Sequence, residues 1–153
     1  NKYHNEIAYV KQNPKRPLFV NVYDYITKLV RMHNDIEKVN KLVNNIFTVM
    51  DIKYLKNKKV RSLSPGQFRW VDLAAKIACF PKVLFIDEIE QHLSIGKIKV
   101  LSKILYRKSN YDGVTIIASS QNKDLFLSLI SVNINISHGR ITSVRSLTKK
   151  KKH

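Results

Sequence analysis

The chain has 153 residues, of which 44% are hydrophobic, so it is long and apolar enough to form one folded domain with its own core. Every apolar run is broken before the roughly 20 residues that a membrane-spanning helix needs, and a single cysteine excludes an intrachain disulfide. The formal net charge of +17 leaves two interpretations open. It is either a surface that attracts nucleic acid or anionic lipid, or the lysine-rich composition that an AT-rich genome produces.

The first half of the chain is predicted to be one short strand followed by helices. Ile7–Val10 is an apolar strand, and the two prolines that follow it favour an extended loop. Apolar residues then recur at helical spacing over residues 23–30 and 36–49. A polar segment, 53–62, leads to a third helix that starts near Ser64.

The second half alternates strands and helices. An apolar strand over residues 83–87, predicted to be buried on both faces, precedes a helix over 95–106 and a strand over 114–118. We expect a helix around residues 125–129, and alternating apolar residues between 132 and 144 predict two further strands joined by a glycine turn. This order predicts an α/β fold with a mainly parallel sheet.

Two short motifs in this frame carry chemistry. The turn Leu63-Ser64-Pro65-Gly66-Gln67 opens a helix, where unpaired N–H groups and the helix dipole favour an anion such as phosphate. Further along, the apolar strand ends in Asp87-Glu88, which can supply a magnesium-binding carboxylate and a base. Each motif alone also has a plain structural interpretation, since serine is a common helix cap and carboxylates often solvate a strand end.

In this order, the two motifs resemble the signature motif and the Walker B strand of ATP-binding cassette (ABC) ATPases. The resemblance extends over nearly the whole chain and implies a P-loop NTPase-like ABC ATPase fold, incomplete here, with a mainly parallel sheet core and a helical subdomain. The expected divisions are a strand and Q-loop (1–19), the helical subdomain with the signature motif (20–80), the C-terminal half of the ATPase core (81–146) and a basic tail (147–153).

The resemblance implies ATP and Mg²⁺ as cofactors and assigns binding roles to four residues. Gln12 matches the Q-loop glutamine, which in the family contacts the magnesium site and couples it to a transmembrane partner; otherwise it is a polar loop residue. Ser64, Gly66 and Gln67 lie in the signature motif, where the hydroxyl and the Gly66 backbone would contact the γ-phosphate of ATP held by an opposite protomer.

Catalytic roles follow from the same resemblance. Asp87 would bind Mg²⁺ through water, and Glu88 would polarise the attacking water. Two positions depart from the family pattern: Ser94 stands where the D-loop ends in aspartate, and Ser120 stands where a core strand is followed by a catalytic histidine. A hydroxyl cannot orient phosphate and water as an imidazole does, so the resemblance implies a slow or non-hydrolytic site.

The phosphate-binding loop of the family, G-x-x-x-x-G-K-[ST], does not occur in these 153 residues. Three explanations are open: a truncated sequence, a split gene whose other half is a separate chain, or a degenerate subunit. We therefore expect ATPase activity only if a segment with the phosphate-binding loop completes the site, and weak or no activity from the chain alone.

The first functional hypothesis is an ATP-binding subunit of an ABC transporter that moves haem or another export substrate. It would lie peripherally on the inner face of a membrane, cytoplasmic or in an organelle matrix. Its partners would be a second nucleotide-binding domain, a transmembrane subunit and a separate chain with the phosphate-binding loop. The alternatives are a soluble ABC-F-like ATPase that binds RNA or ribosomes, which would use the basic charge, and a non-hydrolytic degenerate subunit.

Overall fold

A computed structural model describes residues 6–146, and the predicted basic tail, 147–153, lies outside them. Contacts along the chain divide the described residues into two compact units, 6–121 and 122–146. No helix in the described part of the chain is both long and apolar enough to cross a membrane.

A parallel three-stranded sheet forms the base of the first unit. It consists of β1 (Ile7–Val10), β2 (Val83–Ile86) and β3 (Thr115–Ala118), with β2 in the centre. All three strands end at the same edge, because Val10 pairs with Ile86 and Ile86 pairs with Ala118. The segments that follow these strands therefore meet there, as the predicted parallel order requires.

One face of this sheet is buried and the other is largely uncovered. The buried side chains include Ala8, Leu84 and Ile86, whereas Tyr9 is 47% exposed and Ile117 is 50% exposed on the opposite face. The prediction that the strand over residues 83–87 is buried on both faces was therefore wrong. Successive side chains of a strand point to opposite faces, and residues 6–121 bury only one of them.

Three helices form the layer that includes the signature motif. They are α1 (Val22–Arg31), α2 (Ile36–Val49) and α3 (Pro65–Ala78), and α3 packs against both other helices and against β1. Helix α3 is the centre of this layer, since ten of its side chains are buried. The polar segment before it forms two short 3₁₀ turns that bury Leu55 and Val60. A fourth helix, α4 (Ile95–Asn110), connects β2 to β3.

The second unit is a short turn and a hairpin. Strands β4 (Val132–Ser137) and β5 (Arg140–Ser146) pair in antiparallel fashion, so the sheet of this unit differs from the parallel sheet of the first. The two connecting residues, His138 and Gly139, have positive φ values of 49° and 73°, as tight hairpin turns require. The helix predicted around residues 125–129 was wrong: the chain forms a four-residue 3₁₀ turn, Lys123–Phe126, which is too short to gain α-helical cooperativity.

Candidate functional site

Three loops converge where the parallel strands end. The Asp87 amide donates to Val10 O at 3.0 Å, and the Ser119 amide donates to Ile86 O at 3.0 Å, which continues the sheet by one residue on each side. The residues next along the chain are Lys11-Gln12, Asp87-Glu88 and Ser119-Ser120-Gln121. The predicted Q-loop glutamine and Walker B carboxylates therefore belong to neighbouring loops.

Asp87 and Glu88 are held by the loop after β3. Ser119 Oγ donates to Asp87 Oδ1 at 2.8 Å and accepts from the Glu88 amide at 2.7 Å, so one hydroxyl contacts both residues. Glu88 has φ = 44°, a left-handed conformation that is costly for a residue with a Cβ and is typical of functional sites. Gln121 Nε2 donates to Glu88 Oε1 at 3.1 Å and sets the direction of the carboxylate.

Ser120, the predicted catalytic residue of this loop, is directed at a different carboxylate. Its Oγ donates to Glu90 Oε1 at 3.0 Å, and the Gln121 amide donates to the same oxygen at 2.7 Å. The structure thus brings Gln121 to Glu88, while Ser120 contacts Glu90 two residues further on. Sequence reasoning missed this use of Gln121 because the family position was aligned with its neighbour.

The signature turn forms a reciprocal cap at the start of α3. Ser64 Oγ accepts from the Gln67 amide at 3.2 Å, and Gln67 Oε1 accepts from the Ser64 amide at 3.0 Å. Ser64 and Gln67, two of the three predicted binding residues in the signature motif, therefore have a structural role in the helix. Within this cap the Ser64 hydroxyl acts only as an acceptor, so it can still donate a hydrogen bond to another group.

Gly66 is required by a close approach of backbone. A Cβ at this position would lie 2.8 Å from His92 O, closer than such contacts occur, and the partner is a main-chain carbonyl. His92 has φ = 58°, so the loop after Asp87-Glu88 bends back against the first turn of α3. The small residue thus allows the signature helix and the loop that follows the carboxylates to touch.

Arg69 connects these loops and was not identified from the sequence. Its side chain lies on the inner face of α3 and is 2% exposed. Nη1 donates to Lys11 O at 2.6 Å, and Nη2 donates to Asp87 O at 2.5 Å and to Glu88 O at 2.9 Å. Burial lowers the pKa of Arg69, and the nearby carboxylates of the site raise it.

A second buried polar pair lies deeper between α1 and α3. The Tyr25 hydroxyl donates to Asp72 Oδ1 at 2.7 Å, and Asp72 is 1% exposed. Burial raises the pKa of Asp72, while the Tyr25 hydrogen bond and the charges of Lys76 and Arg69 lower it. Burial also raises the pKa of Cys79 to about 12, so this thiol stays protonated and is structural.

Two residues in the loops at this edge have oxygen atoms of the kind preferred by Mg²⁺, the ion that the resemblance implies. Asp87 and Gln12 are half-buried and carry carboxylate and amide oxygens, which are hard ligands. Within residues 6–146, no group of three or more His, Cys, Asp or Glu side chains could hold a metal ion. Mg²⁺ keeps several waters and takes phosphate oxygens as ligands, so one carboxylate and one amide fit as the protein's share of its shell.

The described residues fit one side of a phosphate group as well. The exposed Ser64 lies at the N-terminus of a 14-residue helix, where N–H groups and the dipole favour an anion. The sequence G-x-x-x-x-G-K-[ST], which forms the phosphate-binding loop in the family, does not occur in these 153 residues.

Comparisons with known proteins agree with this geometry. A family model described as "ABC transporter" matches residues 1–91. The ATP-binding protein Uup of Buchnera aphidicola is 30% identical over 145 residues, which cover 90% of this chain and 23% of Uup. The structure of cbiO1 from Clostridium perfringens, part of the ABC transporter complex cbiONQ, has a TM-score of 0.74 at 27% identity and covers 95% of this chain and 59% of cbiO1.

A dimeric structure of the ATP-binding cassette MJ0796 with ADP and Pi shows the same fold. Its TM-score is 0.83 at 16% identity, over 94% of this chain and 63% of that one. The chain thus spans less than two thirds of these relatives. The matched family model covers more than half of the chain, and the signature helix and the Asp87-Glu88 strand meet at one edge of the sheet. This protein therefore belongs to the ABC transporter family and has the α/β fold of ABC ATPases.

Proposed function

We propose that this chain is part of an ATP-binding subunit of an ABC transporter. The observation that carries the proposal is the convergence of the Gln12 loop, Asp87-Glu88 and Ser119–Gln121 at one edge of the sheet, beside the capped N-terminus of α3. These are the protein groups that a composite ATP site needs from its signature and Walker B segments. The relative cbiO1 is described as part of a transporter complex, which supports the same assignment.

The chain's own residues have separable roles in this proposal. Asp87 and Gln12 would hold Mg²⁺, which when bound neutralises phosphate charge. Glu88 accepts a proton from the attacking water at its carboxylate, and Gln121 orients that carboxylate through the Nε2 contact. Ser120 is also proposed to be catalytic, and its hydroxyl donates to the Glu90 carboxylate.

Phosphate recognition belongs to the start of α3. Ser64 and the Gly66 backbone would face the γ-phosphate of a nucleotide held by a second nucleotide-binding domain, as the resemblance implies. Gln67 supports this turn through the Ser64 amide and does not need to touch the nucleotide. The dimeric ATP-binding cassette with the same fold supports a partner domain.

The uncovered face of the sheet supports completion by a segment that carries the phosphate-binding loop. Tyr9, Phe85 and Ile117 are aligned in one row across the three strands, and this row points away from the buried core. Parallel sheets normally have both faces covered by helices. We therefore propose that a helix of the missing ATP-binding half packs on this row, which places its phosphate-binding loop next to Asp87.

A groove lined by residues between positions 19 and 32 supports a transmembrane partner. It includes Phe19, Tyr23, Lys28 and Met32, and Phe19 is 78% exposed. An exposed aromatic group with basic neighbours suits a short helix of a transmembrane subunit at the inner face of a membrane. The proposed location of the chain is therefore peripheral, at that face.

The test is ATP hydrolysis by the assembled complex, purified in mild detergent from the source cells. Glu88→Gln should stop turnover and trap bound ATP, whereas Glu37→Gln, an exposed glutamate in the first turn of α2, should leave turnover unchanged. A complex that contains no transmembrane subunit, or a Glu88→Gln complex with full activity, would contradict the proposal. Retained transport function with Glu88→Gln would instead identify a non-hydrolytic subunit.

A second candidate function is RNA binding by a soluble ABC protein. The net charge of +17 is the observation that favours it. Binding that rests on phosphate contacts weakens steeply with salt, with a slope close to the number of neutralised phosphates. RNA affinity with that slope, together with copurification of ribosomes and no membrane protein, would favour this function over transport.

A further inference from the structure

We propose that Arg69 is a positioning residue for the candidate site. Its guanidinium joins the backbone of the Gln12 loop to that of Asp87-Glu88 and thereby fixes the direction of the Glu88 carboxylate. The inference rests on the proposed function for the identity of the reaction, while the contacts that carry it do not depend on any nucleotide.

The carbonyls that Arg69 contacts lie one or two residues beyond the last paired residues of β1 and β2. The last ladder bond joins the Asp87 amide to Val10 O, so Lys11 O, Asp87 O and Glu88 O project beyond the paired strands. These hydrogen bonds are partly buried, and the guanidinium supplies one donor to each of the three carbonyls. One side chain from α3 therefore completes the hydrogen bonding of two strand ends.

The conformation of Glu88 shows what this contact stabilises. Its left-handed φ of 44° is unfavourable unless the surroundings hold it. The Glu88 amide is held by Ser119 Oγ, and its carbonyl accepts from both Arg69 Nη2 and the Gln91 amide. If Arg69 is removed, the carbonyl loses its charged donor and the turn can relax, which would rotate the carboxylate away from Gln121.

The geometry requires an arginine. A planar guanidinium presents several N–H groups in a fixed fork, whereas the lysine ammonium is a compact charge on a flexible stem. Two nitrogens of Arg69 reach acceptors that belong to two different loops. Lysine at this position can contact one loop at a time, so it should restore the charge and only part of the positioning.

The first experiment measures backbone hydrogen exchange in the full chain for Arg69→Met and Arg69→Lys. The amides of Ile89 and Gln91, which bond to Ser119 O and Glu88 O, should exchange roughly tenfold faster or more in Arg69→Met. The amide of Val22, bonded to Lys58 O, reports the helical layer and should change far less. Arg69→Lys should lie between the wild type and Arg69→Met.

Arg16→Met is the matched control. Arg16 is exposed, packs over the Phe68 ring and donates to a single carbonyl, Leu63 O at 2.9 Å. Arg16→Met removes the same side-chain type next to the same helix, and Arg16 makes none of the contacts of Arg69 with Lys11, Asp87 or Glu88. Equal exchange at Ile89 and Gln91 in Arg69→Met and Arg16→Met, or a uniform increase over the whole chain, would overturn the proposal. If Arg69→Met does not fold, Arg69→Lys against Arg16→Lys gives the same comparison.

The second experiment uses the assembled ATPase. Arg69→Lys should lower kcat by roughly tenfold or more while KM for ATP changes little, because a misdirected Glu88 impairs the reaction rather than nucleotide binding. A rise in KM with unchanged kcat would contradict positioning of Glu88. If even the wild-type assembly does not hydrolyse ATP, the proposed function fails, but the exchange experiment still decides whether Arg69 holds the loop.

Discussion

The hydrogen bond between Tyr25 and Asp72 offers the clearest test of how the helical layer is stabilised. The two atoms lie 2.7 Å apart, Asp72 is 1% exposed, and its Oδ2 has no hydrogen-bond partner among residues 6–146. Tyr25→Phe keeps the ring, which contacts Phe68 at 6.0 Å, and removes only the hydroxyl. A neutral hydrogen bond contributes about 0.5–1.5 kcal/mol to stability and one to a charged group about 1.5–3 kcal/mol, so we expect the free energy of unfolding to fall by about 1–2 kcal/mol.

Urea unfolding followed by the fluorescence of Trp70 measures this change. Trp70 is the only tryptophan of the chain and is buried in α3, so its emission reports the helical layer directly. Tyr54→Phe is the control, because this tyrosine is 60% exposed and its replacement should change stability by less than about 0.5 kcal/mol. If Tyr25→Phe costs no more than Tyr54→Phe, the reasoning about the buried carboxylate is refuted.

The same pair gives a pH dependence with a definite sign. The pKa of Asp72 is raised in the folded state above its ordinary value of 3.8, so the folded protein binds this proton more tightly than the unfolded chain does. Its contribution to stability is therefore present at low pH and is lost as pH rises through the folded-state pKa. The cost of Tyr25→Phe should be larger at about pH 7.5 than at about pH 4.5, and Asp72→Asn should abolish that difference.

Three further predictions concern other parts of the first unit. Gly66→Ala places a Cβ 2.8 Å from His92 O and should destabilise the chain by about 1–3 kcal/mol in the same urea assay, whereas Gly96→Ala, which meets nothing within 4 Å, should be neutral or stabilising; equal effects would refute the close approach. The Cys79 thiol, with a pKa of about 12, should react with a dithionitrobenzoate reagent only after denaturation, and fast reaction of the native chain would contradict its burial. Lys82→Met should change the unfolding free energy by less than about 1 kcal/mol although its ammonium lies 2.6 Å from Glu6, because the lysine is 73% exposed; a larger loss would show that this ion pair is not screened.

Strong periodicity made the helical layer predictable. The apolar residues predicted in the first two helices include Ile26, Val30, Val39 and Val43, and all four are buried. The strand Val83–Ile86 was located correctly, yet its burial was not. A continuous apolar run does not indicate which face of the strand is buried, because the residues that cover each face lie in other parts of the sequence.

The candidate site was predictable where it is local and not where it is assembled. Ser64 to Gln67 and Asp87-Glu88 were recognised because each motif is contiguous in sequence. Arg69 was missed because its acceptors lie 58 and 18 residues away in the sequence. The spacing of apolar residues predicts helices and strands but not contacts between such distant residues. An arginine between two aromatic residues, Phe68 and Trp70, on a mostly buried helix was an available signal, since a buried charge needs hydrogen-bond acceptors.

The strand order has a consequence for how a larger sheet can be built. With β2 in the centre, β1 and β3 each leave one side without a backbone partner within residues 6–121. Unpaired strand edges accept further strands through main-chain hydrogen bonds alone. Added strands would therefore pair with β1 or β3 and leave the pairing of the middle strand unchanged, so the loop with Asp87 and Glu88 would keep a strand on each side.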